Sequence, residues 1–104
     1  MTKEYFVAAK LPLSPAVRAG DFVFISRGVA AETRAVLENG GACLARAGRG
    51  LENVARTSAW LRDRDDFPVL NEACDAVFPH EPPARSTAES LLMIDIAVEV
   101  EAIA

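Results

Sequence analysis

Two short stretches near the C-terminus carry residues able to do chemistry: Pro-Pro-Ala-Arg-Ser-Thr-Ala-Glu-Ser at 82–90 and Val-Glu-Val-Glu-Ala-Ile-Ala at 98–104. In the first, Arg85 follows a proline-rich turn at the start of a β-type run, beside hydroxyls at Ser86 and Thr87. A guanidinium is planar and permanently charged, and its fork of N–H donors matches a carboxylate two bonds at a time. In the second, period-two alternation sets Glu99 and Glu101 on one strand face and Val98, Val100 and Ala102 on the other. A carboxylate held near a bound acid can accept a proton from a water that is attacking an electrophilic carbon. Only a short connection separates the two runs, so an antiparallel pairing between them is expected to bring an arginine and a glutamate to one cleft. Taken singly, each of these side chains also fits an ordinary solvated surface position.

Other chemistry has less to work with. Cys43 and Cys74 have no C-x-x-C spacing and His80 is the only histidine, whereas zinc wants about four closely spaced N or S ligands. No metal site is expected. Both cysteines fall on apolar helical stripes and read as small buried hydrophobes with reduced thiols. The net charge of -4 and pI near 4.9 lack the basic footprint that binding a polyanionic backbone requires, which argues against nucleic acid as a partner. No apolar run approaches the ~20 residues that span a bilayer, and the first ten residues lack a signal-peptide pattern. A cytoplasmic protein without a membrane partner is expected.

The elements that must position Arg85 and Glu99 can be read from periodicity. At 104 residues the chain is expected to be a single domain, 1–104. An edge strand at Tyr5 to Ala8 precedes a hairpin turning at Gly20-Asp21, with Phe22 to Ser26 as its second strand. Helical spacing from Glu32 to Ala47 ends where Gly48 supplies a left-handed cap, and Gly40 and Gly41 inside it suggest close packing on a sheet. The run 53–62 reads as a strand with Arg56, Ser58 and Trp60 on one face and Thr57, Ala59 and Leu61 on the other. A second helix follows, with Asp65 as its N-cap, Pro68 in its first turn, and Phe67, Leu70, Cys74, Val77 and Phe78 as its apolar stripe. Strands from Arg85 to Ser90 and from Ile96 to Ile103 close the chain. Two helices cover only one face of a single sheet, yet several strands look apolar on both faces, so a homo-oligomer is expected.

The stretches 14–26 (SPAVRAGDFVFIS), 52–78 (ENVARTSAWLRDRDDFPVLNEACDAVF), 82–86 (PPARS) and 98–104 (VEVEAIA) together resemble the RidA (reactive intermediate deaminase A, or YjgF) family, in the family's order and across nearly the whole chain. The resemblance implies an α+β fold of chorismate-mutase-like type: a mixed β-sheet with two helices packed on one face, assembled as a homotrimer around a central barrel. Ligand sites would lie in the clefts between subunits. It also implies hydrolysis of reactive 2-imino acids to 2-keto acids and ammonia, with no cofactor and a small carboxylate as ligand. By position, Arg85 would bind the substrate carboxylate and Glu99 would activate the water. Ser26 and Asn71 match pocket or pocket-supporting positions, and the backbone around Thr87 would contact the imine. Ala16 stands where deaminating members usually carry a tyrosine, Arg27 replaces a glycine, and the segment after Ser26 is short. These departures leave two alternatives: a non-catalytic trimeric binder of a small carboxylate, and a pathway-specific deaminase of the 2-aminomuconate or biosynthetic kind, for which Arg27 would suit a dianion.

Overall fold

The computed structural model describes residues 3–6, 14, 16–30, 33–93 and 96–104. Among these residues the elements are β1 (Lys3–Phe6), β2 (Ala16–Ala19), β3 (Phe22–Ala30), α1 (Thr33–Arg46), β4 (Arg56–Leu61), α2 (Phe67–Val77), β5 (Ala84–Glu89) and β6 (Val98–Ile103), with one-turn 3-10 helices before β4 and α2. The first strand therefore begins two residues earlier than expected, at Lys3, and includes Tyr5 and Phe6 of the expected strand; residues 7–8 fall outside the described residues. Gly20 sits at φ 61°, a left-handed conformation that glycine adopts without steric cost, and it closes the β2–β3 hairpin as expected.

The six strands form one mixed sheet in the order β1-β2-β3-β6-β4-β5. All neighbours are antiparallel except β4 and β5, which run parallel. The expected β5–β6 pairing is thus overturned. Two physical reasons apply. Helix α2 carries the chain from the end of β4 back to the start of β5, and a strand reached by such a crossover runs parallel to the one it left. Residues 98, 100 and 102 of β6 are apolar and almost fully buried, which suits a central strand, whereas the polar β5 sequence Ala-Arg-Ser-Thr-Ala-Glu suits a solvated edge.

Strand parity assigns the two faces. Thr57, Ala59 and Leu61 of β4 align with Ala102, Val100 and Val98 of β6, and all six are buried. Over them lie Val36, Leu37 and Leu44 of α1 and Leu70 of α2, in one continuous core. Leu44, Leu61 and Leu70 are fully enclosed, each contributing about 1.5–3 kcal/mol of transfer free energy. The opposite face has no helix among the described residues, and it displays Tyr5, Phe22 and Phe24 at 57%, 56% and 44% exposure. These rings form a patch, because Tyr5 aligns with Val17 and Val17 with Phe24.

The glycines of α1 divide: Gly40 faces the sheet at ordinary contact distance, whereas Gly41 packs tightly on the 3-10 turn before β4 and not on the sheet as expected. A Cβ on the buried Gly40 would lie 3.4 Å from Ile25 Cδ1, and one on Gly41 would lie 3.2 Å from the Leu51 side chain. Gly48, at φ 72°, ends the helix. Its N–H bonds to Ala45 O at 3.1 Å while the N–H of Arg49 reaches Leu44 O at 3.0 Å, the paired bonds that satisfy the last carbonyls of a helix. Arg18 of β2 donates to the next free carbonyl, Ala47 O, and pairs with Glu4 at 3.4 Å.

The start of α2 differs from expectation. Asp63, rather than Asp65, supplies the capping side chain, accepting the Asp65 N–H at 2.9 Å. The chain makes an extra 3-10 turn over Arg64–Asp66 before the helix begins at Phe67, and Asp66 at the N-cap makes no side-chain bond. That turn moves Phe67 off the core stripe, leaving it 44% exposed.

Candidate functional site

Arg85 lies on β5, the outermost strand on its side of the sheet. Its register partner Thr57 is buried beneath the helices, so Arg85, Thr87 and Glu89 share the helix-covered face, while Ser86 turns to the other. There the Ser86 hydroxyl accepts from Arg56 Nη2 at 2.7 Å. The three hydroxyl and guanidinium groups at 85–87 that are adjacent in sequence therefore separate by face.

Helix α2 runs beside this edge and fixes the guanidinium. Phe67 and Asn71 are four residues apart, hence neighbours on one helical surface. Arg85 Nη2 donates to Asn71 Oδ1, and the Arg85 Cζ stands 5.5 Å from the centroid of the Phe67 ring. A cation over an aromatic face contributes about 0.5–1 kcal/mol at an exposed site. Among the described residues Asn71 is the one hydrogen-bond partner of the guanidinium, which carries five N–H groups. Two hollows open on either side of the clamped group. A hollow of about 310 Å³ is lined by Thr57, Asn71, Cys74, Asp75, Phe78, Pro82 and Pro83 together with Arg85. The other, about 540 Å³, is lined by Leu61, Arg64, Phe67, Thr87, Ala88 and Glu89, again with Arg85. Both lie in the size range of small-molecule sites.

The edge also offers backbone donors. The Ala84 N–H bonds to Ala55 O at 3.0 Å and the Ser90 N–H to Leu61 O at 2.9 Å. In a parallel ladder every second residue faces the same neighbour. Residues 84, 86, 88 and 90 therefore face β4, and the backbone N–H groups of Arg85, Thr87 and Glu89 point to the free edge.

Glu99 and Ser26 stand elsewhere. Glu99 aligns with Trp60 of β4 and faces the uncovered side of the sheet, half-buried. Ser26 aligns with Glu101 on that same side and is exposed. Arg85 aligns with Thr57 and Glu99 with Trp60, three residues further along β4, and β4 lies between their strands. Two strand spacings and three residue rises put their Cα atoms roughly 14 Å apart, with the side chains on opposite faces. Within one protomer the two cannot meet, which corrects the expectation drawn from their nearness in sequence. Ala16 is 1% exposed in the core and lines neither hollow. Arg27 falls in β3, and its side chain lies outside the described residues.

Three further participants went unread in the sequence. Phe67 is a platform for Arg85 instead of a core residue. Arg64 lines the larger hollow, and Cys74 lines the smaller one, half-exposed rather than fully enclosed. The Phe67–Asn71 spacing was the available signal for the first, once α2 is known to lie beside β5. Cys43 is buried, as expected, and His80 is exposed and borders neither hollow.

Comparison with known proteins gives consistent matches. Residues 3–104 match the family described as Endoribonuclease L-PSP. A RutC family protein of Pyrococcus horikoshii is 36% identical over 108 residues, spanning 89% of this chain and 86% of the relative. The 2-iminobutanoate/2-iminopropanoate deaminase of Salmonella typhimurium is 31% identical over 101 residues, spanning 93% of this chain and 75% of the relative. Among solved structures, a member of the YjgF/YER057c/UK114 family from Mycobacterium tuberculosis superposes with a TM-score of 0.89 at 25% identity, covering 99% of this chain and 98% of the other.

Proposed function

The chain belongs to the Endoribonuclease L-PSP family, whose members include the YjgF, RutC and RidA proteins, and on that premise we propose that it hydrolyses reactive 2-imino acids to 2-keto acids and ammonia. The observation that carries the proposal is the clamped guanidinium at an open sheet edge: Arg85, held by Asn71 and Phe67 between two hollows. The substrate carboxylate takes the free N–H groups of Arg85, and the imine end lies toward the Thr87 amide. Relatives about a third identical carry deaminase names, in keeping with this chemistry.

Water adds to C2 of the protonated imine while a carboxylate accepts a proton from it. The protonated carboxylate then returns that proton to the carbinolamine nitrogen, the C–N bond breaks, and the hydroxyl proton passes to the departing ammonia, leaving the keto acid, ammonium and the free carboxylate. The substrate is already electrophilic, so general-base help of about 10² to 10⁴-fold suffices. Glu99 is the base in this scheme. Since it lies on the opposite face from Arg85, the working site is formed by two copies: β5 and α2 of one protomer abut the uncovered face of the next, which brings Glu99 and Ser26. The apolar patch of Tyr5, Phe22 and Phe24 on that face gives the association its driving force. A closed homotrimer satisfies this head-to-edge contact for every copy.

A second use follows from the same separation. The half of the site that binds an acid is complete in one protomer, and the half that activates water is not, which is the arrangement of a carboxylate-binding protein without turnover. RNA cleavage, suggested by the family description, is disfavoured by the net charge of -4, since phosphate backbones are bound through cations. The test is keto-acid formation from freshly generated 2-iminopropanoate. Wild type should exceed the buffer rate and Arg85→Ala should not. Equal rates for wild type, variant and buffer, together with tight calorimetric binding of a 2-keto acid, would identify a binder instead.

A further inference from the structure

The larger hollow holds two arginines, and the mechanism above uses only one. Arg64 lines it together with Arg85, and Leu61 and Phe67 supply apolar wall. The Arg64 backbone N–H donates to Glu89 Oε2 at 2.7 Å, which ties Arg64 to the far end of β5. Arg85 and Glu89 are four residues apart on that strand, so the two ends of the hollow are roughly 13 Å apart before either side chain reaches inward. Among the described residues, no hydrogen bond or ion pair engages the Arg64 guanidinium. Glu89 also lines the hollow and its charge opposes an anion there. Its Oε2 is already occupied by the Arg64 amide, however, and two guanidinium groups outnumber it.

A substrate anchored on Arg85 by its first carboxylate extends its side chain along Leu61 and Phe67 toward Arg64. If that chain ended in a methyl group, the exposed guanidinium would keep its water and gain no bond from the substrate. An acid group at the same place meets a fork of donors of matching geometry. We infer that Arg64 is a specificity-determining residue which selects substrates with a second, distal acid group, so that the preferred substrate is a short-chain 2-imino dicarboxylic acid. The inference rests on Arg85 binding the carboxylate next to the imine, as proposed above.

The test compares imines of equal chain length, one from glutamate and one from norvaline, made in situ by an amino-acid oxidase with catalase and followed as keto acid formed in competition with semicarbazide. Calorimetry with 2-oxoglutarate and 2-oxopentanoate runs in parallel. Wild type should favour the diacid imine by about tenfold in kcat/KM, the gain typical of a charge-assisted bond at a partly solvated site. Arg64→Gln should bring the ratio of the two substrates close to one, and Arg64→Lys, which keeps the charge without the fork, should fall between. Both variants lie at an exposed position, so folding is not in question. Hydrolysis of the norvaline imine with a ratio that Arg64→Gln leaves unchanged would overturn the inference while the protein remained a deaminase. Tighter binding of 2-oxoglutarate, lost in Arg64→Gln, with neither imine hydrolysed would support Arg64 as selector and refute deamination. Neither hydrolysis nor discrimination would overturn both.

Discussion

If Arg85 and Glu99 act together only across a subunit boundary, two inactive variants should restore one another. Arg85→Ala removes the carboxylate grip; hydrogen bonds to a charged partner are worth about 1.5–3 kcal/mol, or roughly 10- to 150-fold in kcat/KM. Glu99→Gln keeps the shape of the side chain but removes the base, at about 10² to 10⁴-fold. Co-expressing the two with different affinity tags and purifying on both columns yields only mixed assemblies. In a closed trimer each site takes Arg85 from one copy and Glu99 from the next. Going round a ring with two copies of one variant and one of the other, the intact Arg85 meets an intact Glu99 at one boundary only, so activity should return to about one third of wild type. A dimer counted the same way returns about one half, so light scattering on the same sample fixes which fraction applies. The assay is reduction of the keto acid formed from 2-iminopropanoate by coupled lactate dehydrogenase. Mixed assemblies no more active than the sum of the two pure variants would refute a shared site.

Other consequences are open to direct measurement. Asn71→Asp places a carboxylate against Arg85 where the amide oxygen now accepts its bond; this internal acid should compete with substrate, raising KM about tenfold or more with a smaller change in kcat. Phe24→Asp puts a charge in the apolar patch of the uncovered face, where Phe24 is 44% exposed, and should shift the protein toward monomers in multi-angle light scattering while far-ultraviolet circular dichroism stays unchanged. Gly48→Ala forces a side chain into φ 72° and should cost about 1–2 kcal/mol in urea denaturation. Leu44→Ala, at a residue with no exposure, should cost about 2–5 kcal/mol by the same measurement.

Much of the fold was legible because its signals are local. Gly48 announced a left-handed helix cap and Gly20 a hairpin turn, and both are found there at positive φ. The alternation at 98–102 assigned the faces of β6 correctly, as did that at 56–61 for β4. What escaped was pairing. Nearness in sequence suggested that the strands of Arg85 and Glu99 are partners, but strand order is decided by which strand has an apolar face worth burying and by the crossover through α2, and neither is a property of the intervening segment. Phe67 escaped for a smaller reason. Its place on the apolar stripe assumed a helix capped at Asp65, and one extra turn starting from Asp63 rotated the ring toward Arg85. The distribution of Arg85 and Glu99 over two faces is a fact of three dimensions that their spacing in the sequence does not carry.

The parallel crossover from β4 through α2 to β5 has a consequence for how the protein should behave when scarce. The residues proposed to grip an acid, Arg85 with Asn71 and Phe67 around it, all come from this one contiguous segment. Ligand capture should then survive dilution to isolated chains, whereas turnover should fade with the square or higher power of concentration once rings begin to come apart. A titration in which specific activity declines while keto-acid affinity holds steady would show one polypeptide doing the holding and its companions finishing the work.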